Sequence, residues 1–399
     1  MSSQTLHDPV VIVSAARTPM GGFQGDLQSV SATRLGSVAI GAAVERAGID
    51  PLAVEEVLFG CVLPAGLGQA PARQAALGAG LDVGTRCTTV NKMCGSGMQT
   101  VIQAHDLLLA GSARVVVAGG MESMSNAPYL LERARQGYRM GHGRVLDHMF
   151  YDGLEDAFEP GRLMGTYAEE CAQAAGFSRQ DQDDFALASL SRAQQAMAQG
   201  WFDAEIVPVQ VAVGKQQKTI AQDEQPPKAR PDRIASLKPA FRDGGTVTAA
   251  NASSISDGAA ALVLMRRSHA RQSGLRPLAV IHGHAAYANH PGLFTTAPIG
   301  AIRALWDNVG WQADDVDLFE INEAFAVVTL VAMRELGLPH DKVNVHGGAC
   351  ALGHPVGASG ARILVTLLSA LRRRQLKRGV AAICIGGGEA TAMAIELVD

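Results

Sequence analysis

The sequence lacks several features that define large classes of protein. No apolar run approaches the ~18 residues that a membrane-spanning helix needs. The net charge of −4 gives no general attraction to nucleic acid or to an anionic membrane, so we expect neither partner. The first residues, MSSQTLHDPV, contain no basic stretch followed by an apolar core. We therefore expect no secretory signal and a cytoplasmic protein.

The cysteine pattern argues against a disulfide framework and against a structural zinc site. Six cysteines are scattered without any C-x-x-C spacing, and the histidines do not cluster with them. In a large, non-secreted chain such cysteines are expected to be free thiols. We therefore predict no metal. The cysteines are Cys61, Cys87, Cys94, Cys171, Cys350 and Cys384.

Composition and periodicity together predict an α/β protein. The chain has 47% apolar residues, 18% charged residues and 44 glycines in 399 residues, which suits a globular protein of two or three domains or of fused halves. Short Val/Ile-rich runs alternate with longer segments of helical spacing, which indicates strands buried on both faces. The predicted strands are 10–14, 115–118, 261–265 and 381–385, and the predicted helices are 31–47, 97–110, 180–199 and 360–374.

Two stretches of the chain resemble each other in the order of their elements. VNKMCGSG is followed by a helix and ARVVVAGGME, and VNVHGGACALGHPVGASG is followed by a helix and KRGVAAICIGGGEA. This order predicts an internal duplication. The N-terminal half is assigned to 1–123 plus 255–277 and the C-terminal half to 278–399. The polar, Gly- and Pro-bearing segment 124–254 is predicted to be a large loop insertion.

Cys94 is the first candidate for chemistry. It lies in NKMCGSG, after a predicted strand and just before a predicted helix. The positive end of the helix dipole would stabilise its thiolate and lower its pKa, and the glycines beside Ser96 would let backbone N–H groups approach a substrate oxygen. The alternative is a small cysteine buried for packing at a tight turn.

Three further candidates come from the second half of the chain. His354 lies in a Gly/Pro-rich loop and is either a base for Cys94 or a surface residue. Cys384 ends a predicted strand that enters three glycines, and is either a reactive group or a buried strand cysteine. Asn322 and Glu323 follow another predicted strand, where such a polar pair caps a helix or points into a site.

Taken together, these motifs resemble the thiolase family. NKMCGSG, NEAFA, GGACALGHPVGASG and CIGGGEA occur in the family's order and approximate spacing, and the likeness covers essentially the whole chain. The resemblance implies a layered αβαβα thiolase fold. It also implies acetyl-CoA C-acetyltransferase activity, in which two acetyl-CoA form acetoacetyl-CoA through an acyl-cysteine by ping-pong kinetics, with no cofactor apart from coenzyme A as substrate and product.

The resemblance also implies a role for each candidate. Cys94 would carry the acyl group, His354 would take its proton, and Cys384 would remove a proton from the second acetyl thioester. His354 and a water held by Asn322 would form one oxyanion hole, and the N–H groups of Cys94 and Gly386 would form the other. Residues implied to contact the acyl group or coenzyme A are Ser253, Phe325, Met164, Leu163 and Phe294, with Lys228 and Arg230 as phosphate candidates.

Several alternatives remain open at this stage. Leu163 replaces a His that acetoacetyl-forming thiolases usually carry, their pocket commonly has Met near Phe294, and Cys350 replaces an Ile. The first two changes leave open a degradative thiolase for longer 3-ketoacyl chains. A decarboxylating ketoacyl synthase would lack a cysteine equivalent to Cys384, and a non-catalytic lipid-binding relative would lack the motif residues. The family resemblance implies a homo-oligomer, either a dimer or a tetramer of two dimers, and we expect the tetramer.

Overall fold

The computed structural model describes residues 8–398, so Met1–His7 and Asp399 of the predicted halves lie outside the described residues. The strands are β1 (Val10–Arg17), β2 (Gly21–Gly22), β3 (Glu56–Gly60), β4 (Arg86–Val90), β5 (Val115–Ser123), β6 (Tyr129–Leu131), β7 (Val145–Asp147), β8 (Val209–Val213), β9 (Gln216–Ile220), β10 (Ser256–Arg266), β11 (Ala279–Ala288), β12 (Leu318–Ile321), β13 (Arg378–Ile385) and β14 (Glu389–Leu397).

The α-helices are α1 (Ala32–Ala47), α2 (Pro71–Gly78), α3 (Ser96–Ala110), α4 (Met164–Ala175), α5 (Arg179–Ala198), α6 (Gln225–Lys228), α7 (Arg267–Gln272), α8 (Ala297–Val309), α9 (Ala326–Leu336), α10 (Ala349–Leu352) and α11 (Ser359–Arg374). The four helices predicted from the sequence correspond to α1, α3, α5 and α11, with ends within one residue. Ser31 illustrates why: its side chain accepts a hydrogen bond from the N–H of Arg34 and begins α1 as an N-cap.

The two halves have the same strand topology. In the N-terminal half β3 pairs in parallel with β4 and β5, and β10 pairs antiparallel with β5 and β1. In the C-terminal half β12 pairs in parallel with β13, β14 pairs antiparallel with β13 and β11, and one parallel bridge joins Phe319 to Val343. The duplication predicted from the sequence is therefore confirmed. A two-residue antiparallel contact between β1 and β11 links the halves into one ten-stranded sheet.

The molecule is layered, with two helices at its centre. Helices α1 and α2 cover the outer face of the N-terminal half, and α8 and α9 cover the outer face of the C-terminal half. Helices α3 and α11 pack against each other between the two halves and share one apolar core with both. The continuous Val/Ile/Ala runs of the strands fit this arrangement, because strands covered on both faces have no polar side. The predicted αβαβα order is confirmed.

The segment 124–254 contributes no strand to the ten-stranded sheet among the described residues. It contains the separate pairs β6–β7 and β8–β9 and the helices α4, α5 and α6. The 20-residue α5 begins at a capping box formed by Ser178 and Asp181, and it packs on α9 and α10. The segment therefore combines loops with a helical part that rests on the C-terminal half. Within residues 8–398, no helix is both long enough and apolar enough to cross a membrane.

Candidate active site

Cys94 lies in a sharp turn between β4 and α3. Met93 has a left-handed φ of 45°, an uncommon conformation for a residue with a side chain. The Ser96 hydroxyl closes the turn, because it accepts a hydrogen bond from the N–H of Lys92 at 2.8 Å and donates to the carbonyl of Met93 at 2.6 Å. The turn therefore holds the half-buried Cys94 immediately before the start of α3.

The glycines of this turn are required by packing. A Cβ on Gly95 would lie 2.4 Å from the side chain of Ile385, and one on Gly97 would lie 2.8 Å from the backbone N of Ala361. In the second half, a Cβ on Gly360 would lie 2.4 Å from the N of Met98. Helices α3 and α11 thus meet backbone to backbone at their first turns. Close packing is therefore a second reason for glycine at these positions, beside the predicted approach of backbone N–H groups to a substrate oxygen.

The pKa of Cys94 moves in the direction opposite to the sequence prediction. Burial raises it to about 11, although hydrogen bonds from the N–H groups of Gly386 and of Cys94 itself lower it. The charge of Glu122 raises it further. Desolvation of the thiolate therefore outweighs the N–H groups around it. At neutral pH the residue is therefore a thiol.

His354 is a buried imidazole with a free lone pair. The Ser359 hydroxyl donates its one proton to the carbonyl of Pro355 at 3.0 Å, so it must accept from Nδ1–H of His354, 2.5 Å away. That leaves Nε2 unprotonated, and this buried atom has no hydrogen-bond partner among the described residues. Burial, and next the positive charge of Arg362, lower the pKa of His354 to about 3, so the ring is neutral. Nε2 is thus prepared to accept a proton.

Cys384 lies beside Cys94 near the end of β13. It is buried, and its pKa is raised well above the ordinary value by burial and, next, by the charge of Cys94. The turn that follows contains Gly387 and Gly388, both with positive φ. It brings the N–H of Gly386 to the sulfur of Cys94. Two thiols and one backbone donor therefore converge at the boundary between the halves.

Asn322 has a buried amide group without a partner. Its backbone N–H donates to the carbonyl of Ala382 at 2.9 Å, which fixes the residue just beyond the end of β12. Neither Oδ1 nor Nδ2 has a hydrogen-bond partner among the described residues, although the residue is 1% exposed. An unpaired buried polar group costs about 1–3 kcal/mol, so such a group is typically kept for a ligand or a water.

Glu323 has a structural role. Its carboxylate accepts hydrogen bonds from the Ser189 hydroxyl at 2.8 Å, the Asn344 amide at 2.8 Å and the N–H of Cys350 at 3.0 Å. It ties α5 to the loop that leads to His354. Helix α9 has no side-chain cap, since its N-cap is Phe325. The Asn322–Glu323 pair was predicted either to cap a helix or to point into a site. For Glu323 the structure supports neither alternative.

Glu122 is a buried acid that the sequence analysis does not identify. It accepts hydrogen bonds from the N–H groups of Val62, Leu63 and Gly357 at 2.9, 3.1 and 2.9 Å, and so joins the loop of His354 to the N-terminal half. Burial raises its pKa to about 7. The repeat in the sequence could have identified Glu122, because Glu389 follows the second Gly-rich strand end as Glu122 follows the first. Glu389 pairs with Lys92 of the opposite half.

The predicted acyl-binding residues surround Cys384 to different degrees. Met164, Phe294 and Phe325 belong to one apolar cluster with Cys384, and the ring centroids of the two phenylalanines are 6.4 Å apart. Leu163 and Ser253 are half-buried and next in sequence to members of the cluster. Three further aromatic members of the cluster were not predicted from the sequence: Tyr167, Phe177 and Phe241.

The predicted phosphate-binding residues are occupied with carboxylates. Lys228 pairs with Glu224 at 2.5 Å, and Arg230 lies 3.6 Å from Asp232. Both cations have side chains more than 60% exposed, at 61% and 64%. They are accessible to an anionic ligand, which would have to replace or share these partners.

Comparisons with known proteins decide the family. The thiolase N-terminal domain matches residues 10–268, and the thiolase C-terminal domain matches residues 275–397. The chain belongs to the thiolase family. It is 52% identical over 392 residues to acetyl-CoA acetyltransferase 2 of Arabidopsis thaliana, a match that covers 98% of this chain and 97% of that protein. It is 50% identical over 391 residues to acetyl-CoA acetyltransferase of Escherichia coli K12, covering 98% and 99%.

Solved structures agree with this assignment. A crystal structure of acetyl-CoA acetyltransferase from Bacillus anthracis matches with a TM-score of 0.95 and 40% identity, and the match covers 98% of this chain and 99% of that one. A thiolase from Ascaris suum in complex with coenzyme A matches with a TM-score of 0.92 and 41% identity, covering 98% and 100%. The chain is accordingly an acyltransferase of the thiolase class.

Proposed function

We propose that the chain is an acetyl-CoA C-acetyltransferase that condenses two acetyl-CoA to acetoacetyl-CoA and catalyses the reverse thiolysis. The proposal rests on two observations: Cys94 and Cys384 lie together, and Nε2 of His354 and the amide of Asn322 are buried without a hydrogen-bond partner among the described residues. Relatives named acetyl-CoA acetyltransferase at about half identity over nearly full length support the acetyl substrate. Coenzyme A is substrate and product, and the chemistry needs no other cofactor.

The first half-reaction transfers an acetyl group to Cys94. His354 takes the thiol proton of Cys94 at Nε2 as the sulfur attacks the thioester carbonyl, and the carbonyl oxygen is stabilised by the N–H groups of Gly386 and Cys94. Coenzyme A leaves as a thiolate and takes the proton of Cys384. The products of this step are acetyl-Cys94, an imidazolium at His354, a thiolate at Cys384 and free coenzyme A.

The second half-reaction forms the carbon–carbon bond. The Cys384 thiolate removes a proton from the methyl carbon of the second acetyl-CoA, and the enolate oxygen receives hydrogen bonds from the His354 imidazolium and from a water held by Asn322. The carbanion attacks the carbonyl of acetyl-Cys94. Acetoacetyl-CoA departs as the Cys94 thiolate recovers its proton from His354. Each proton is returned, and the order of events predicts ping-pong kinetics.

A test separates the two thiols. With Cys94→Ser we expect no acetyl transfer from labelled acetyl-CoA to the protein, and with Cys384→Ser we expect acetyl-enzyme but no acetoacetyl-CoA. Cys87→Ser is the matched control, because Cys87 is also half-buried and lies on β4 before the same turn. Failure of the unmutated protein to cleave a 3-ketoacyl-CoA of any chain length would overturn the proposal.

The assembly of the chain is a further part of the proposal. We infer a homo-oligomer, a tetramer of two dimers, in which the segment around β6 and β7 makes contacts between dimers. Exposed apolar side chains in this segment support the inference: Tyr129, Leu131, Met140, Val145 and Phe158 are each more than half exposed, and Met140 is 97% exposed. Light scattering that reports a monomer would contradict it.

A cytoplasmic location is likewise proposed.

A further inference from the structure

A cluster of two histidines and one aspartate lies far from the catalytic thiols. His105 and Asp106 lie in the second half of α3, and His284 lies on β11. His105 comes nine residues after the first residue of α3, Ser96, so it lies about 14 Å along the helix from that end. The cluster therefore joins the N-terminal half to the C-terminal half on a side of the molecule that the proposed acyl transfer does not use.

The three ligand atoms converge on a small volume. Oδ1 of Asp106 lies 3.0 Å from Nε2 of His284 and 3.2 Å from Nδ1 of His105, and all three atoms lie within 4.8 Å of one another. Zn²⁺ binds such atoms at about 2.0–2.2 Å in tetrahedral geometry, which separates neighbouring ligand atoms by about 3.3 Å. The two measured separations are close to this value. The two imidazole nitrogens lie within 4.8 Å of each other, so rotation of these rings would bring all three atoms to a common cation.

The surroundings of the cluster also suit a bound cation. The rings of His105 and His284 pack edge to face with centroids 5.1 Å apart, which restrains both imidazoles. The side chain of His105 is 10% exposed and that of His284 is 22% exposed, whereas Asp106 is 58% exposed and leaves a path for the ion. Two imidazoles and one carboxylate are ligands that borderline divalent cations such as Zn²⁺ prefer.

We propose that His105, Asp106 and His284 form a Zn²⁺ site that fastens helix α3 to strand β11, with a water as fourth ligand. This site differs from the absence of metal that the cysteine and histidine pattern predicted. His284 is 178 residues from Asp106 in the chain, and only the fold brings them together. A cation that binds the folded site and not the unfolded chain stabilises the folded state, in proportion to the logarithm of its concentration above Kd.

The test is a calorimetric titration of the chelator-treated full-length protein with ZnCl₂. We expect one equivalent bound per chain, and a melting temperature that rises with Zn²⁺. Changes to residues around a metal site already cost 10- to 100-fold in affinity, so loss of a direct ligand in His284→Ala, or its weakening in Asp106→Asn, should cost at least about tenfold. Both variants should keep acyl-transfer activity in the absence of metal.

His282→Ala is the matched control. His282 lies two residues away on β11 and pairs with Glu396 at 2.8 Å, outside the cluster. We expect it to bind one equivalent of Zn²⁺ with unchanged affinity. Absence of binding by the unmutated protein would overturn the proposal, and so would equal binding by all variants.

Cobalt distinguishes the proposed ligands from the cysteines. With Co²⁺ in place of Zn²⁺, we expect weak visible bands of an N/O-ligated ion and no thiolate-to-metal charge-transfer band. These visible bands should disappear in His284→Ala and persist in His282→Ala. A thiolate band that is unaffected by His284→Ala would place the ion at the catalytic cysteines and would contradict the site.

Discussion

The ionisation of Cys94 gives the sharpest prediction about the active site. A rise of the pKa of this thiol from 9.0 to about 11 corresponds to about 2.7 kcal/mol in favour of the protonated form. At pH 7 only about one molecule in ten thousand would then carry a thiolate, whereas a cysteine with the ordinary pKa of 9.0 would be about 1% thiolate. In the resting enzyme Cys94 should therefore be a neutral thiol and His354 a neutral imidazole.

The assay is the ultraviolet absorbance of the thiolate, measured as the difference between the protein and its Cys94→Ser variant. Between pH 6 and pH 9.5 we expect no titration step, and we expect the rate of Cys94 alkylation by iodoacetamide to rise about tenfold per pH unit. The same measurements on Cys87→Ser control for the other thiols. A step with a midpoint below pH 8.5, or an alkylation rate that levels off there, would refute the argument that desolvation outweighs the N–H groups of Gly386 and Cys94.

Three further predictions concern neighbouring residues. Ser359→Ala leaves Nδ1–H of His354 buried without its acceptor, and we expect unfolding measurements to show a loss of about 1–3 kcal/mol, with kcat reduced more than KM is changed; an unchanged kcat would exclude a positioning role. The pKa of Glu122 is raised from 4.5 to about 7 in the folded protein, so the folded state binds this proton more tightly than the unfolded chain does. The free energy of unfolding should therefore fall by about 3 kcal/mol as pH rises from 4.5 to 7. Denaturant titrations of Glu122→Gln should lack that pH dependence. Phe294→Leu should enlarge the acyl end of the site and raise kcat/KM for a longer 3-ketoacyl-CoA relative to acetoacetyl-CoA by about tenfold, whereas an unchanged ratio would place the chain-length limit elsewhere.

Much of the fold was predictable because its signals are local. Continuous apolar runs and helical spacing act within a few residues, and they predicted the cores of four strands and the extent of four helices. A local cap such as Ser31 explains in the structure why one of these helices begins where it does. The repeated Gly-rich turns revealed the duplication. Short or polar strands escaped prediction: β4, with the sequence RCTTV, has no continuous apolar run.

The proximity of the two thiols was predictable from the sequence, but the pKa of Cys94 was not. The motifs around Cys94, His354 and Cys384 predicted that these residues would converge, and the structure brings the two thiols together and orients the lone pair of His354. The direction of the Cys94 pKa depends on how deeply the whole fold buries the sulfur, which no local pattern reports. No local pattern reports the close contact of Gly97 with α11 either.

The two helix-initiating serines show what fusion of two copies makes available. Ser96 and Ser359 begin the paired helices α3 and α11, and each hydroxyl holds the turn before its own helix, one with Cys94 and the other with His354. In a symmetric dimer of identical subunits, both turns would have to carry the same side chain. A single chain with two unequal copies escapes that symmetry. One copy can therefore carry a nucleophile while the other carries a base at the equivalent position. A dimer of identical subunits could not divide the two roles in this way.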